Sequence, residues 1–224
     1  MELTKGQKVA LSLLAASPLC NQFYLTGGTL LAYVYLKHRY SEDLDFFSEQ
    51  KFSFDEVNNF VLNLKEKGGF SSVEYQKIFD RHQFLLKNKE ILKIEFVHFN
   101  HDKKRLGKKR RVLGIWVDSL TDLAANKTLA YFDRNEPKDL FDIYFLLTSG
   151  KFSLNQLLDL VEKKFGVKFA ESLFWSEAFK KIGLLSKITP LLIAEDSQSK
   201  RLLLDKIELY FKEKSAQFLR ENLS

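Results

Sequence analysis

Two aspartates separated by one residue, Asp43 and Asp45, are the first side chains whose types and spacing suggest chemistry. In a β-strand, side chains two apart project from the same face, so both carboxylates would point the same way. Such a pair suits Mg²⁺, which takes one or two carboxylates together with waters and substrate phosphates. An exposed edge strand with two solvated acids is the alternative interpretation of this short pattern.

A diglycine, Gly27-Gly28, follows a short strand-like run at residues 23–26 and precedes a helical segment at residues 29–36. Glycines at a strand-to-helix turn let the backbone approach a phosphate closely, and the start of a helix offers unpaired amide groups. Thr29 could add a hydroxyl donor or cap the helix. For a Gly-Gly pair taken alone, an ordinary tight turn is the alternative.

Glu95 is a candidate third carboxylate. Apolar residues alternate through residues 91–99 toward the core, which leaves Lys93, Glu95 and Val97 on the opposite face. In two-metal nucleotidyl transfer, a third acid serves the attacking hydroxyl by holding a second metal ion or by accepting the proton. Alternatively, Glu95 only pairs with Lys93 or with the basic residues that follow.

A lysine and two aspartates fall in helical segments further along the chain. Lys127 lies among apolar neighbours on a face that should be buried, so its ammonium either reaches water or serves a phosphate. Asp139 and Asp142 share a face in the first turns of the next helix, where the helix dipole alone would favour them. Catalytic and structural roles are both compatible with this spacing.

The segment from Lys103 to Arg111 is strongly basic. Because it also contains Gly107, we expect a flexible, charged connection of which little packs into a core. Cations of this kind bind RNA phosphates without reading sequence, although a solvated loop would have the same composition. The candidate RNA-binding residues are Lys103, Lys104, Arg105, Lys108, Lys109, Arg110 and Arg111.

The elements that would position these residues change character along the chain. Strand-like and helical segments mix in the first half, whereas the second half is helical, which predicts an α+β core at residues 1–118 and a helical domain at residues 119–224 that contributes to the nucleotide site. Further strands are predicted at residues 43–47, 72–79, 83–87, 91–99 and 112–117, and further helices at residues 54–67, 119–132, 138–147, after Ser153, and at 170–182 and 200–223.

Composition limits the class of protein. The hydrophobic fraction of 45% and charged fraction of 29% are typical of globular proteins, and the net charge of +6 modestly favours polyanions. The single cysteine, Cys20, excludes an internal disulfide and a multi-thiolate zinc site, so a reducing cytoplasm is expected. Residues 1–16 do not have the pattern of a signal peptide, and no apolar run is long enough to span a membrane.

Taken together, these motifs resemble a known family. The segments Phe23-Tyr24-Leu25-Thr26-Gly27-Gly28-Thr29 and His38-Arg39-Tyr40-Ser41-Glu42-Asp43-Leu44-Asp45-Phe46-Phe47 are similar to the first motif of the AbiEii/AbiGii toxin family, within the DNA polymerase β-like nucleotidyltransferases. The resemblance continues through Lys93-Ile94-Glu95-Phe96, residues 127–134 and Lys138-Asp139-Leu140-Phe141-Asp142.

The resemblance implies a polymerase β-like core and transfer of a nucleoside monophosphate from a nucleoside triphosphate (NTP), with one or two Mg²⁺ ions. Family members are typically toxins of toxin–antitoxin or abortive-infection systems, and some modify the acceptor end of tRNA, so RNA and a cognate antitoxin are the implied partners. Transfer to a small molecule or to a protein hydroxyl is one alternative. A non-catalytic module that binds nucleic acid or an antitoxin is another.

The resemblance also implies roles for individual residues. Asp43 and Asp45 would hold the metal ion, and the diglycine turn with Thr29 would contact phosphate. Nucleotide contact or charge stabilisation would come from Lys127, Asp139 and Asp142.

Overall fold

The computed structural model describes residues 2–99 and 105–222, so Lys103 and Lys104 of the basic segment lie outside the described residues. The chain divides into two compact units, Met1–Leu120 and Thr121–Ser224. The first unit contains a mixed β-sheet with flanking helices, and the second is helical. The predicted fold class is therefore confirmed.

The sheet of the first unit places the D-x-D pair in its interior. The strands are β1 (Tyr24–Thr26), β2 (Asp43–Ser48), β3 (Ser72–Ile78), β4 (Arg81–Lys87), β5 (Ile91–His98), β6 (Arg110–Val112) and β7 (Ile115–Val117). Within the described residues, these seven strands form one sheet in the order β3-β4-β5-β2-β1-β7-β6. Because β2 pairs with β5 on one side and β1 on the other, the exposed-edge interpretation of the D-x-D pair is wrong.

Several helices of the first unit flank this sheet. They are α1 (Lys5–Ala15), α2 (Leu19–Gln22), α3 (Gly27–Leu30), a π-helical segment (Leu31–Leu36) and α4 (Phe54–Gly68). Helix α4 begins with a capping box of Ser53 and Glu56 and places Phe60 against Phe96 of β5, with ring centroids 5.8 Å apart. The opposite face carries the odd-numbered residues of β2, which are Asp43, Asp45 and Phe47.

Residues 112–117 do not form the single strand that was predicted. Strands β6 and β7 are instead a hairpin whose two central residues, Leu113 and Gly114, have φ angles of 52° and 81°. Positive φ at both positions is the geometry of a tight hairpin turn, and the turn reverses the chain where the apolar pattern alone is continuous. The predicted helix at residues 29–36 likewise differs, since α3 passes into a π-helical segment.

The second unit consists of helices around an aromatic core. They are α5 (Leu120–Asp133), α6 (Pro137–Thr148), α7 (Leu154–Phe165), α8 (Glu171–Ile182), a 3₁₀ segment (Leu185–Leu191) and α9 (Ser197–Asn222). Tyr131 and Phe174 pack with ring centroids 5.0 Å apart, and the Tyr131 hydroxyl donates to the Phe174 carbonyl at 2.7 Å. Across residues 2–99 and 105–222, no helix has the length and apolar character needed to cross a membrane.

Candidate active site

Three carboxylates share one face of the sheet in the first unit. Asp43 and Asp45 alternate along β2 with the buried residues Leu44 and Phe46, so both acids project from the same side. In the parallel pairing of β2 with β5, Glu95 is directly opposite Asp45. The period-2 pattern of both strands therefore brings together the three acids that the sequence singles out.

Two basic side chains already contact these acids. The Lys93 Nζ lies 3.1 Å from Asp43 Oδ2 and 3.2 Å from Glu95 Oε1, and Arg81 Nη1 lies 2.7 Å from Glu95 Oε2. Burial lowers the pKa of Lys93, but attraction to Asp43 and Glu95 outweighs it, so the pKa lies above its usual value. The pairing of Glu95 with Lys93 anticipated from the sequence is present, whereas Arg81 had no sequence signal.

The donor set allows a limited statement about a metal ion. Among the described residues, no group of three or more His, Cys, Asp or Glu side chains has the geometry to hold one. Two carboxylates on one face, with the Asp43 side chain 31% exposed, nevertheless fit Mg²⁺, which completes its shell with waters and substrate phosphates. Glu95 differs because Arg81 and Lys93 engage its two oxygens.

The diglycine turn lies directly against the second acid. Gly27 has a φ of 74°, and a Cβ atom built on it would lie 1.9 Å from Asp45 Oδ2, so this position requires glycine. The Thr29 hydroxyl donates to the Asp43 carbonyl, and Ser41 Oγ lies 2.9 Å from the same hydroxyl oxygen. Thr29 is thus part of the structure that fixes the start of β2 beside the turn.

The basic segment packs more closely than was expected. Arg105 donates to Asp118 Oδ1 at 2.6 Å and to Glu49 Oε1 at 2.6 Å, and its guanidinium lies 4.6 Å from the Tyr24 ring centroid. Burial, followed by the nearby Asp118 carboxylate, raises the pKa of Tyr24. The expectation of a flexible connection is therefore wrong for Arg105, because an ion pair and an aromatic ring hold it to the sheet.

The remaining described cations of this segment lie in β6 or directly before it. Arg110 lies 5.0 Å from the Tyr35 ring centroid and Arg111 lies 4.9 Å from that of Trp116. Lys109 Nζ lies 4.8 Å from the Tyr24 ring centroid, and its neighbour Lys108 is exposed. Arg110 and Arg111 are exposed as well, so their charges remain accessible while their positions are fixed.

A second polar cluster occupies the helical unit. Lys127 Nζ lies 3.1 Å from Asp139 Oδ1 and 2.9 Å from Asp142 Oδ2, and Arg134 Nε lies 2.6 Å from Asp139 Oδ2. Only 6% of the Lys127 surface is exposed, and its ammonium is paired with the two carboxylates. Burial raises the pKa of Asp139, but Lys127 and the hydrogen bond from Arg134 bring it below its usual value.

Two buried polar residues had no sequence signal as parts of these sites. Asp118 accepts a hydrogen bond from Thr26 Oγ1 at 2.9 Å, across 92 residues of sequence. Lys181, on α8, donates to the carbonyls of Tyr131 and Arg134, the latter at 3.1 Å. Both contacts depend on tertiary packing, which a local pattern does not encode.

Comparison with known proteins assigns the chain to a family. The model of the family described as "Nucleotidyl transferase AbiEii toxin, Type IV TA system" matches residues 10–223. The chain belongs to this family. The chain is therefore a nucleotidyltransferase of the AbiEii toxin family.

One relative and two solved structures are also similar to this chain. The uncharacterized protein aq_aa25 of Aquifex aeolicus (strain VF5) is 30% identical over 164 residues, which cover 73% of this chain and 76% of that protein. Helicobacter pylori JHP933 has a crystal structure similar to this chain, with 21% identity and a TM-score of 0.60, covering 97% of this chain and 93% of that one. A second H. pylori chain, solved as a candidate nucleotidyltransferase, is 21% identical with a TM-score of 0.60, covering 96% and 95%. Identities of this size indicate a shared fold.

Proposed function

We propose that this nucleotidyltransferase is an Mg²⁺-dependent toxin that transfers a nucleoside monophosphate from an NTP to an RNA acceptor, such as the acceptor end of a tRNA. One observation carries the proposal: Asp43 and Asp45 share a sheet face, and Asp45 lies against Gly27 of the diglycine turn. A carboxylate pair beside a glycine turn can hold a divalent ion and a polyphosphate together. The proposal includes an antitoxin partner, which the family description supports.

In the proposed reaction, the acceptor hydroxyl attacks the α-phosphorus of the NTP. A new oxygen–phosphorus bond forms while the bond to pyrophosphate breaks. Mg²⁺ held by Asp43 and Asp45 would neutralise charge that develops on the attacking and leaving oxygens. Gly27 and Gly28 are proposed to place backbone amides near the phosphates, and Thr29 to hold β2 beside them.

Glu95 is proposed as the third acid, which accepts the hydroxyl proton or helps to hold a second ion. Either role requires one of its oxygens to exchange its present partner, because Arg81 and Lys93 contact both. Arg81 is the more exposed of the two, with 45% of its side chain accessible against 29% for Lys93. Because Arg81 is less buried than Lys93, it is the partner that would be displaced from Glu95 at the lower energetic cost. The acceptor would therefore approach Glu95 from the side of Arg81.

The helical unit is proposed to contribute Lys127, Asp139 and Asp142 to nucleotide contact or charge stabilisation. The support is their arrangement as one buried ion cluster, in which Arg134 also takes part. The buried members would hold Arg134, whose side chain is 46% exposed, in a fixed position from which it can contact a charged group.

RNA is the proposed acceptor because exposed cations line the β6 edge. Lys108, Arg110 and Arg111 are exposed, and neighbouring aromatic rings fix both arginines. Phosphate contacts from such residues supply affinity without sequence specificity, which suits an RNA recognised by its shape. Arg105 and Lys109 are proposed to add to this surface, and Lys103 and Lys104, which lie outside the described residues, are proposed from the sequence alone to bind RNA phosphates.

The test is transfer of label from each α-³²P-labelled NTP to total RNA, with Mg²⁺ present. We expect label on RNA with the wild type and a loss of at least about 10³-fold with Asp45→Ala, because the substitution removes one of the two proposed metal ligands. The control is Asp55→Ala, an exposed acid in the first turn of α4, which should retain activity. Thermal unfolding of each variant shows whether the fold is intact.

Three outcomes would contradict the proposal. If no NTP labels any acceptor, the chain acts as a binding module. If label enters a protein or a small molecule and never RNA, one of the alternative acceptors is correct. If Asp45→Ala unfolds, the aspartate is structural.

A further inference from the structure

The sheet face that carries the acids extends beyond Glu95 to the sheet edge. Glu95 is opposite Gln83 on β4, and Gln83 is opposite Gln76 on the edge strand β3. Since cross-strand partners project from the same face, Asp45, Glu95, Gln83 and Gln76 form one row across four strands. Two amide side chains therefore lead from the proposed third acid to the open edge.

A guanidinium joins the β3–β4 hairpin to this acid. Arg81, the first residue of β4, donates from Nη1 to Glu95 at 2.7 Å while 45% of its side chain remains exposed. A guanidinium has five N–H donors in a fixed fork, so Arg81 can contact Glu95 and an external anion together. The hairpin thus brings a partly exposed cation next to Glu95, the acid proposed to act on the acceptor hydroxyl.

The tip of this hairpin presents an aromatic ring to solvent. Phe79 is 92% exposed and has a φ of 51°. Bulky side chains rarely adopt positive φ, and a tight hairpin turn favours Asn or Gly at such a position. The ring of Phe79 is almost entirely exposed, so burial does not offset this unfavourable backbone conformation. Strained backbone occurs at sites that contact ligands as well as in tight turns, so the exposed ring is the feature that points to a contact here.

We propose that this hairpin face binds the 3′-terminal nucleotides of the RNA acceptor, an inference that rests on the proposed function. The hairpin face is Gln76, Ile78, Phe79, Arg81 and Gln83. The Phe79 ring would stack on a base, Arg81 would contact a phosphate, and the two amides would bind base edges or 2′-hydroxyls.

Single-stranded RNA fits this surface better than a protein partner does. The apolar side chains here are a lone ring and Ile78, which is 37% exposed, whereas protein interfaces centre on a packed apolar core. The exposed acid Glu74, two residues before Gln76 on the same face, is neutralised by Lys87 at 2.5 Å. From Glu95 to Gln76 is two strand spacings, about 10 Å, which corresponds to about three stacked nucleotides.

The test measures RNA binding separately from nucleotide transfer. The probe is a fluorescein-labelled single-stranded decaribonucleotide, followed by fluorescence anisotropy. Phe79→Gly removes the ring and suits the positive φ, so this variant should fold, and we expect its Kd to rise roughly 5- to 100-fold through loss of base stacking. Stabilisation of the same variant by NTP with Mg²⁺, measured by thermal shift, should equal that of the wild type.

The matched control removes another exposed phenylalanine. Phe179 on α8 of the helical unit is 63% exposed, and Phe179→Ala should bind the probe as the wild type does. A second variant, Gln76→Glu, places a carboxylate on the same face without touching the turn, and its Kd should also rise. Unchanged Kd values for both Phe79→Gly and Gln76→Glu would overturn the inference.

Transfer assays distinguish this inference from the proposed function. If the wild type labels RNA and Phe79→Gly does so with an unchanged KM, the hairpin face is not the acceptor site although the function stands. If the wild type binds RNA through Phe79 but transfers nothing, the proposed function fails and the binding surface remains. If Phe79 is needed to bind a purified antitoxin protein but not the RNA probe, the face is a protein interface and the inference fails.

Discussion

Each of the two units holds a lysine between two carboxylates, yet the two triads differ in their access to water. In the first unit, Lys93 contacts Asp43 and Glu95 at 3.1 and 3.2 Å. In the helical unit, Lys127 contacts Asp139 and Asp142 at 3.1 and 2.9 Å. The Lys93 side chain is 29% exposed and that of Lys127 is 7% exposed. Local chemistry is therefore the same, and the environment differs.

This difference separates a site that can exchange cations from one that must keep them. Asp43, with 31% of its side chain exposed, can replace the Lys93 ammonium by water or by another cation at little cost. Asp139 and Asp142 have fully buried side chains, so loss of Lys127 would leave uncompensated charge in a low dielectric. The first triad suits ligand binding, and the second suits a fixed geometry.

The largest effect on stability should come from removing the buried lysine. We expect Lys127→Met to lower the free energy of unfolding by about 3–5 kcal/mol, because two buried carboxylates lose a shared partner. Lys93→Met is the matched control, and its loss should stay below about 1 kcal/mol, since Arg81 still pairs with Glu95 and Asp43 is partly solvated. Urea unfolding of both variants measures the difference. Equal losses would show that exposure does not distinguish the triads.

The acids and their strands could be predicted because the relevant pattern is local. Alternation along β2 and β5 fixes the faces of Asp43, Asp45 and Glu95, and the register of two parallel strands then aligns them. The same reasoning could not find Arg81, because its contact with Glu95 depends on the register of a hairpin. Local periodicity specifies a face, whereas tertiary packing specifies a partner.

The basic segment illustrates the same limit. Composition alone predicts a solvated connection, yet Arg111 lies over Trp116 and donates to Asn21, which is 90 residues away in sequence. Rings that bind a cation are indistinguishable in sequence from rings of a core. The turn at Leu113 and Gly114, which makes β6 an edge strand, was missed because one glycine within an otherwise apolar run also fits a single strand.

A smaller effect on the free energy of unfolding should distinguish Gly27, in the diglycine turn, from Gly69, an ordinary glycine with positive φ. Gly27 and Gly69 have φ angles of 74° and 68°, but a Cβ atom would strike Asp45 only at Gly27 and would meet nothing within 4 Å at Gly69. Gly69→Ala should therefore cost about 1 kcal/mol from backbone strain alone. Gly27→Ala should cost roughly 1–3 kcal/mol and also displace the acid.

Activity provides the sharper measurement for this pair. A displacement of about 1 Å in a catalytic group can cost on the order of 10²-fold in rate, so Gly27→Ala should lose transfer activity while Gly69→Ala retains it. Nucleotidyl transfer and urea unfolding are measured on both variants. If Gly27→Ala keeps full activity, contact between the turn and Asp45 has no bearing on the reaction.

The smallest predicted effect is the change with pH in the stability that the buried triad of Lys127, Asp139 and Asp142 contributes. The pKa of Asp139 in the folded chain lies below its ordinary value of 3.8, because Lys127 and Arg134 outweigh the effect of burial. Below that ordinary value the unfolded chain takes up the proton first, so acidification favours unfolding. The stabilisation is complete above pH 3.8 and is lost as the pH falls through the lower folded value.

Comparing the wild type with Asp139→Asn isolates this contribution from that of other carboxylates. The variant lacks the titrating group, so its free energy of unfolding should fall less steeply than that of the wild type between about pH 5 and pH 3. The gap between the two proteins, large at pH 5, should therefore narrow as the pH falls. Urea midpoints at both pH values measure it. A gap that stays constant would mean that Asp139 binds its proton equally well in the folded and unfolded chains, and the ion cluster would then contribute geometry without pH-dependent stability.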